Sequence, residues 1–218
     1  MSTAQSFIPA AGRAGVRGYD RAIALTAREA RMRSGMIKAI GASVGGIEQP
    51  KILELGCGTG SLTIALAAAL PNADLTGLDP DASALAIARA KAGADAVEWI
   101  EGGALAPPTA GGGWDAIAIS LVMHHLRPDQ QPRALRAARE ALAPHGTLHV
   151  LDFGPPRGLL PRVGFRHALQ RLDGVSNTAP MGNGELPGMI AAAGFDEPQL
   201  IQRFGTVWGT HEQYAARG

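Results

Sequence analysis

Cysteine is almost absent from this sequence, since Cys57 is the single cysteine among 218 residues. One thiol excludes an internal disulfide framework and is typical of a reducing compartment, so we expect a cytoplasmic protein. Net charge is also nearly absent, because 20 basic residues are balanced by 19 acidic ones. This balance argues against a protein that binds nucleic acid through phosphate contacts.

Long apolar runs and metal-ligand patterns are missing as well. Although 46% of the residues are hydrophobic, no run approaches the length of a membrane span, so we expect no transmembrane segment. There is no C-x-x-C motif and no H-x-x-x-H pair on a predicted helix, and no metal site is predicted. Residues 1–19 contain two arginines and no acidic residue. Transit peptides share that composition, but we favour a flexible arm that leads into a lid helix.

The most informative feature present is a glycine-rich segment at residues 54–60. It follows a short apolar run and precedes an Ala- and Leu-rich helical run at 61–70. Strand, glycine turn and helix bring a backbone close to a nucleotide-like ligand at the first crossover of a parallel sheet. A dinucleotide fingerprint that starts at Gly56 needs glycine at 61, where Ser61 stands. The pattern is instead E-x-G-x-G-x-G, formed by Glu54, Gly56, Gly58 and Gly60.

Further predicted strands follow this segment in an order that fits one sheet. They cover residues 74–79, 97–104, 114–120 and 145–152. The first of them ends in the carboxylate of Asp79, His125 follows the third, and the last ends at Asp152. Strands that alternate with helical runs indicate an α/β protein with a parallel, doubly wound sheet.

Taken together, these segments resemble the ordered motifs of the class I S-adenosylmethionine-dependent methyltransferases. The resemblance covers about residues 50–153 well and the rest loosely. It is strongest to the broad Methyltransf 11/25 and ubiquinone/menaquinone C-methyltransferase-like group. It implies a Rossmann-like, mostly parallel seven-stranded sheet with an antiparallel last strand and a small helical cap. It also implies S-adenosyl-L-methionine as the cofactor.

The same resemblance implies a single methyltransferase domain over residues 1–218. Its expected parts are an N-terminal arm and lid helix at 1–45, a cofactor-binding core at 50–153, an acceptor cap insert at 154–184, and a last helix with a strand pair at 185–218. Arginines stand in the insert at 157, 162, 166 and 171. They fit either a solvated outer helix face, which we favour, or a face that binds an acidic acceptor.

The resemblance also implies which residues of this sequence contact the cofactor. The resemblance implies that Glu54 holds the α-amino group of the methionine part and that Asp79 accepts hydrogen bonds from both ribose hydroxyls. Gly103 departs from the family, which often has an aspartate there for the adenine amine, so backbone and apolar packing must hold the adenine. The full expected set is Glu54, Gly56, Cys57, Gly58, Gly60, Asp79, Pro80, Gly103, Ala104, Leu105, Ser120, Leu121 and His125.

His125 and Asp152 are the candidate catalytic residues, because they follow neighbouring strands at the expected binding edge. Histidine acts as a base near neutral pH, but His125 also fits a loop cap or a packing contact with the adenosine. Asp152 fits either the orientation of a histidine or substrate hydroxyl, or a structural hydrogen bond. Three other histidines, His145, His149 and His211, are interpreted as surface or turn residues.

The predicted function is in-line methyl transfer to an O, N or C atom of a small-molecule acceptor. One alternative is a non-catalytic cofactor-binding module or partner subunit, which Gly103 mildly favours. A second alternative is a protein or RNA methyltransferase, which the near-neutral charge disfavours. A homodimer stays open.

Overall fold

A computed structural model describes residues 29–158, 170, 174–206 and 209–218. The strands in these residues are β1 (Lys51–Leu55), β2 (Asp74–Asp79), β3 (Val97–Glu101), β4 (Trp114–Ser120), β5 (Leu142–Gly154), β6 (Gln199–Thr206) and β7 (Gly209–Arg217). The α-helices are α1 (Glu29–Val44), α2 (Ser61–Ala69), α3 (Ala82–Arg89), α4 (Gln131–Ala141), α5 (Val175–Gly182) and α6 (Leu186–Ala192). Two short 3₁₀ turns lie at Ala94–Ala96 and Met123–His125.

The seven strands form one sheet in the order β3-β2-β1-β4-β5-β7-β6. Strands β1 to β5 pair in parallel, whereas β7 runs antiparallel to both β5 and β6. The predicted mostly parallel, seven-stranded sheet with an antiparallel last strand is therefore confirmed. Because β1 to β5 are parallel, their last residues lie along one side of the sheet, which we call the carboxyl edge. Strand β7 starts at this edge.

The sheet is buried on both faces, which explains why its central strands are almost continuously apolar. On one face, Leu53, Ile117 and Val150 belong to a core cluster that also contains residues of α4, α5 and α6. On the other face, Ile52 and Leu151 belong to a second cluster with residues of α1 and α2. Two layers of helices therefore leave the edges of the sheet as the accessible place for a ligand.

Several predicted boundaries differ from those observed. The spacing of apolar residues predicts a helix at 18–41; the observed helix continues to Val44, and its portion before residue 29 lies outside the described residues. Asp81, whose residue type predicts a helix cap, does cap α3, because its carboxylate accepts from the N–H groups of Ser83 and Ala84. Pro128 predicts that the following helix starts there, which is wrong, because α4 begins at Gln131 with Pro132 in its first turn. Strand β5 begins at Leu142, three residues before the predicted start.

The cap is described only in part. Helix α5 is the described helical part of the predicted insert, while Arg162, Arg166 and Arg171 lie outside the described residues, as does the predicted arm at 1–19. In the described part of the chain, no helix combines the length and the apolar character that a membrane crossing requires.

Candidate functional site

The loop after β1 folds back onto the end of β2. The N–H groups of Gly56 and Cys57 both donate to the carbonyl of Leu78, at 2.7 and 3.0 Å, and the N–H of Gly60 donates to the carbonyl of Cys57 at 2.8 Å. Gly56, Gly58 and Gly60 have φ angles of 74°, 53° and 76°. Residues with a Cβ rarely adopt these angles, so the loop needs its glycines to turn from β1 into α2.

The three glycines differ in what surrounds them. A Cβ added to Gly56 would lie 2.4 Å from Val122 Cγ2, and one added to Gly60 would lie 2.3 Å from Trp99 Cη2. A Cβ added to Gly58 would meet nothing within 4 Å. Packing within the protein demands Gly56 and Gly60, and only Gly58 borders open space.

Asp79 ends β2 and lies directly against this loop. Its Oδ2 accepts from the N–H of Gly58 and its Oδ1 from the N–H of Asp81, each at 2.8 Å. Burial raises the pKa of Asp79, although both hydrogen bonds oppose that rise. A carboxylate has about four lone-pair positions, so each oxygen keeps capacity for a further donor such as a ribose hydroxyl.

Glu54 is buried beneath the loop, with 3% of its surface exposed. Its Oε2 accepts from the hydroxyl of Thr63 in the first turn of α2. Burial raises the pKa of Glu54 to about 8, the Thr63 hydrogen bond lowers it, and the neighbouring Asp79 charge raises it. In the absence of a cationic partner, Glu54 is therefore mostly a neutral acid at pH 7, and a nearby ammonium group would favour its ionised form.

The segment after β3 lies beside Asp79. The N–H of Gly102 donates to the carbonyl of Asp79 at 3.0 Å, and the N–H of Ala106 donates to the carbonyl of Gly103 at 3.1 Å. These bonds form a turn next to the end of β2 and bring Gly103, Ala104 and Leu105 to the carboxyl edge. Together with the half-buried Pro80, this turn forms a surface of backbone and apolar atoms at the carboxyl edge.

Cys57 is buried, and burial raises the pKa of its thiol. An un-ionised, buried thiol is a poor nucleophile. Its backbone N–H, by contrast, is one of the two groups that attach the loop to β2. Cys57 therefore helps to hold the loop through its backbone.

Leu121, directly after Ser120 at the end of β4, has a φ of 58° and is the one non-glycine residue with a positive φ in the described part of the chain. Its N–H donates to the carbonyl of Leu151 at 2.8 Å. A leucine in this conformation costs about 1–2 kcal/mol. The sharp bend directs the chain so that Val122 packs over Gly56 and the Met123–His125 turn follows at the carboxyl edge.

Asp152 is completely buried and pairs with His124, whereas the sequence had singled out His125. The Nδ1–H of His124 donates to Asp152 Oδ1 at 2.8 Å, and the N–H of Met123 donates to Oδ2 at 2.8 Å. The N–H of Phe153 also donates to Oδ1, at 2.7 Å. Burial opposes ionisation of Asp152, but the His124 charge and these hydrogen bonds hold its pKa below the usual value. Asp152 thus holds the turn that carries both histidines.

His211 is a site residue that sequence reasoning missed. It was interpreted as a surface or turn residue, which is wrong, because it is buried in β7 opposite Phe153. Ring centroids are separated by 4.0 Å for His125 and His124, 5.0 Å for His124 and Phe153, and 4.2 Å for Phe153 and His211. We call these four side chains the ring row. It crosses the carboxyl edge from the β4 turn to the start of β7.

Two further described histidines, His145 and His149, do not belong to the ring row. His149 was also interpreted as a surface residue, but it is buried inside β5 and its Nε2 lies 2.9 Å from Ser43 Oγ of α1. Burial lowers the pKa of both His149 and His211 to about 4, so both are neutral at physiological pH. His145 is exposed, as expected. No sequence signal separates these three cases, because burial here depends on strand pairing and on the position of α1.

Comparison with known proteins finds a family match over the parallel strands of the sheet. The methyltransferase domain family matches residues 52–146, which run from β1 into β5. Demethylmenaquinone methyltransferase of Thermus thermophilus is 35% identical over 174 residues, which cover 71% of this chain and 78% of that protein. Demethylmenaquinone methyltransferase of Deinococcus radiodurans is 28% identical over 172 residues, which cover 76% of this chain and 70% of that protein.

Solved structures agree on the fold. The N-methyltransferase NodS from Bradyrhizobium japonicum superposes with a TM-score of 0.65 at 19% identity, over 88% of this chain and 97% of that chain. At this identity the likeness concerns the fold alone. The sequence relatives and the family match extend it to activity, with S-adenosyl-L-methionine as the cofactor. This chain belongs to the class I S-adenosylmethionine-dependent methyltransferases.

Proposed function

We propose that this enzyme methylates a small-molecule acceptor, and that the acceptor is a hydroquinone methylated on a ring carbon. The observation that carries the proposal is the alignment with a demethylmenaquinone methyltransferase over 71% of this chain and 78% of the relative. That alignment is too long to come from the cofactor-binding core alone. The second support is the chemistry of the ring row at the carboxyl edge.

The residues present fit the cofactor. S-adenosylmethionine supplies an activated methyl group on a sulfonium when it is bound. Open space borders Gly58 and the carboxylate of Asp79 reaches that loop, so we propose that Asp79 binds the ribose hydroxyls. Glu54 is a buried acid that a cation would ionise, and we propose that it binds the α-amino group. We propose that Pro80, Gly103, Ala104 and Leu105 surround the adenine, and that Ser120, Leu121 and His125 border the remainder.

The ring row favours a flat, uncharged acceptor. Phe153 is apolar, His211 is neutral because burial lowers its pKa to about 4, and the charge of Asp152 is compensated by His124 and two backbone N–H groups. The side chains of His124, Phe153 and His211 are themselves buried, so we propose that they make this part of the carboxyl edge apolar and nearly uncharged. Aromatic rings pack on one another with centroids about 4.5–7 Å apart. A hydroquinone meets these requirements better than a phosphate or a carboxylate does.

Within this row, His125 is the proposed acceptor of the proton that the substrate loses. His125 ends the ring row and is half-buried as a residue, although both of its ring nitrogens are buried. Asp152 is fully buried and its two oxygens are occupied. We therefore propose that Asp152 acts by holding the histidine turn in place. In-line displacement depends mainly on alignment of the acceptor with the methyl group and on exclusion of water.

The test is a turnover assay with a reduced demethylnaphthoquinone of short side chain as the acceptor. We expect equal amounts of S-adenosylhomocysteine and of a product methylated on a ring carbon, as measured by mass spectrometry and NMR. The oxidised quinone should be inert, because its ring carbon is not electron-rich. A phenol and a primary amine are tested beside it, and preference for either of these overturns the hydroquinone assignment. No turnover with any of them would support the non-catalytic alternative.

A matched pair of variants tests the proposed base. His125→Ala should lower turnover by about 10²–10⁴-fold if the imidazole accepts a proton, and the pH profile should change shape. His145→Ala, at an exposed histidine, should leave turnover unchanged. A loss below about tenfold in His125→Ala would mean that alignment alone accounts for the rate.

A further inference from the structure

Gln131, the first residue of α4, is a completely buried polar side chain. Its Nε2 lies 3.1 Å from the carbonyl oxygen of Met123, 3.0 Å from that of Leu126 and 2.8 Å from that of Asn177. An amide nitrogen has two hydrogens, so these three carbonyls share them. Burial of a long amide is costly unless its polar atoms are paired, and here the donor end is fully used.

Two of the three carbonyls lie at either end of the histidine turn. Met123 begins the 3₁₀ turn and Leu126 follows it, so the Gln131 amide spans the segment that contains His124 and His125. On the other side of this turn, Asp152 holds the Met123 N–H and the His124 ring. The turn is thus held by two buried side chains, one from β5 and one from α4.

The third carbonyl belongs to the cap. Asn177 lies in α5, 46 residues away in sequence, and is itself buried. Gln131 is therefore a direct connection between the histidine turn and the described helix of the predicted acceptor cap. Its Oε1 has no hydrogen-bond partner in the described structure.

We propose that Gln131 is a positioning residue for methyl transfer. It holds the histidine turn in register with α5, against which the turn packs, and so determines where His125 stands at the carboxyl edge. The inference rests on the proposed function in that His125 faces the acceptor. A displacement of about 1 Å in such a site costs on the order of 10²-fold in rate.

Kinetics of Gln131→Met test the proposal, because methionine has a similar length and no donor. We expect kcat/KM for the acceptor to fall by about 10–100-fold, while the Kd for S-adenosylmethionine, measured by calorimetry, stays within about twofold. The matched control is Gln130→Met. Gln130 precedes the helix, and its Oε1 accepts one exposed hydrogen bond from Arg127 at 3.2 Å. An unchanged kcat/KM in Gln131→Met, or a parallel loss of cofactor affinity, overturns the proposal.

Gln131→Glu should restore part of the activity that Gln131→Met loses, and it should do so only at low pH. A general structural role would not produce this pH-dependent rescue. Burial raises the pKa of a carboxyl group, so the protonated glutamate retains one O–H donor. We expect intermediate kcat at low pH and a further loss as pH rises through the pKa of the introduced group, with cofactor affinity retained. A pH profile that parallels the wild type would contradict the proposal. This variant also decides the question if Gln131→Met does not fold.

Hydrogen exchange gives a readout that does not depend on the acceptor. In Gln131→Met, amide exchange should accelerate at least about tenfold in peptides that cover residues 121–127 and 175–182. Exchange in the glycine loop at 54–60 should not change. Failure of the hydroquinone assignment would appear in the wild-type turnover, whereas failure of this inference would appear as unchanged exchange in the turn and α5.

Discussion

Proton release on cofactor binding is the sharpest consequence of the buried Glu54. Burial raises its pKa to about 8, so about nine-tenths of the ligand-free protein carries a neutral Glu54 at pH 7. If the α-amino group of S-adenosylmethionine binds beside it, the ionised form is stabilised and its pKa falls below the assay pH. Binding should then release about 0.9 proton per protein molecule at pH 7.

Calorimetry at pH 7 in buffers of different ionisation enthalpy measures this number directly. Glu54→Gln is nearly isosteric and cannot ionise, so the released proton should disappear, and the difference between the two proteins isolates Glu54 from the cofactor's own amino group. Glu101→Gln, at the exposed glutamate that ends β3, is the control and should release the same number as the wild type. Below pH 8, the cofactor affinity of the wild type should increase by up to about tenfold for each unit by which the pH is raised. The reason is that only the protein with ionised Glu54 binds the cofactor well.

Equal proton release in the wild type and in Glu54→Gln would refute this reasoning. It would mean that Glu54 stays neutral in the complex and serves only as the partner of Thr63. A loss of the pH dependence with no loss of affinity in Glu54→Gln would place the amino group elsewhere.

Three further predictions follow from the same structure. Asp79→Ala should weaken S-adenosylmethionine binding by about 1.5–3 kcal/mol for each hydrogen bond lost, and calorimetry should detect no comparable NAD binding; unchanged affinity would contradict the ribose assignment. Gly58→Ala should lower the free energy of unfolding by about 1–2 kcal/mol, because alanine is strained in a left-handed backbone. Gly60→Ala should lower it further, because its Cβ would lie 2.3 Å from a tryptophan ring. Urea denaturation measures both losses, and equal losses would show that the ring moves aside. His149 and His211 have pKa values of about 4, below the ordinary 6.5, so each stabilises the fold fully above pH 6.5 and loses that contribution as pH falls toward 4. Relative to wild type, His149→Gln should therefore gain about 2 kcal/mol of stability between pH 8 and pH 5, and a constant difference across this range would disprove its burial in the neutral form.

Local features of the site were predictable from the sequence. The β1 strand, glycine turn and α2 helix all lie within residues 51–69, and the Asp79 carboxylate follows at the end of β2. The cap of α3 by Asp81 is equally local. Such features depend on backbone geometry over one or two turns, which residue type and spacing specify directly. The alternation of strands and helices along the chain predicted the parallel sheet, because crossover connections place the ends of successive strands on the same side.

Contacts between distant segments decided the rest. Asp152 reaches His124 across 28 residues, and neither the choice between adjacent histidines nor the burial of His211 follows from spacing, because a one-residue change in register reverses the direction of a side chain. The packing of Val122 on Gly56 and the link from Gln131 to Asn177 likewise exist only after β4, α4 and α5 have met. The sequence by itself determined the family, the cofactor and the local backbone of the glycine loop. The tertiary structure decided which side chains meet at the carboxyl edge, since that depends on strand register and helix packing.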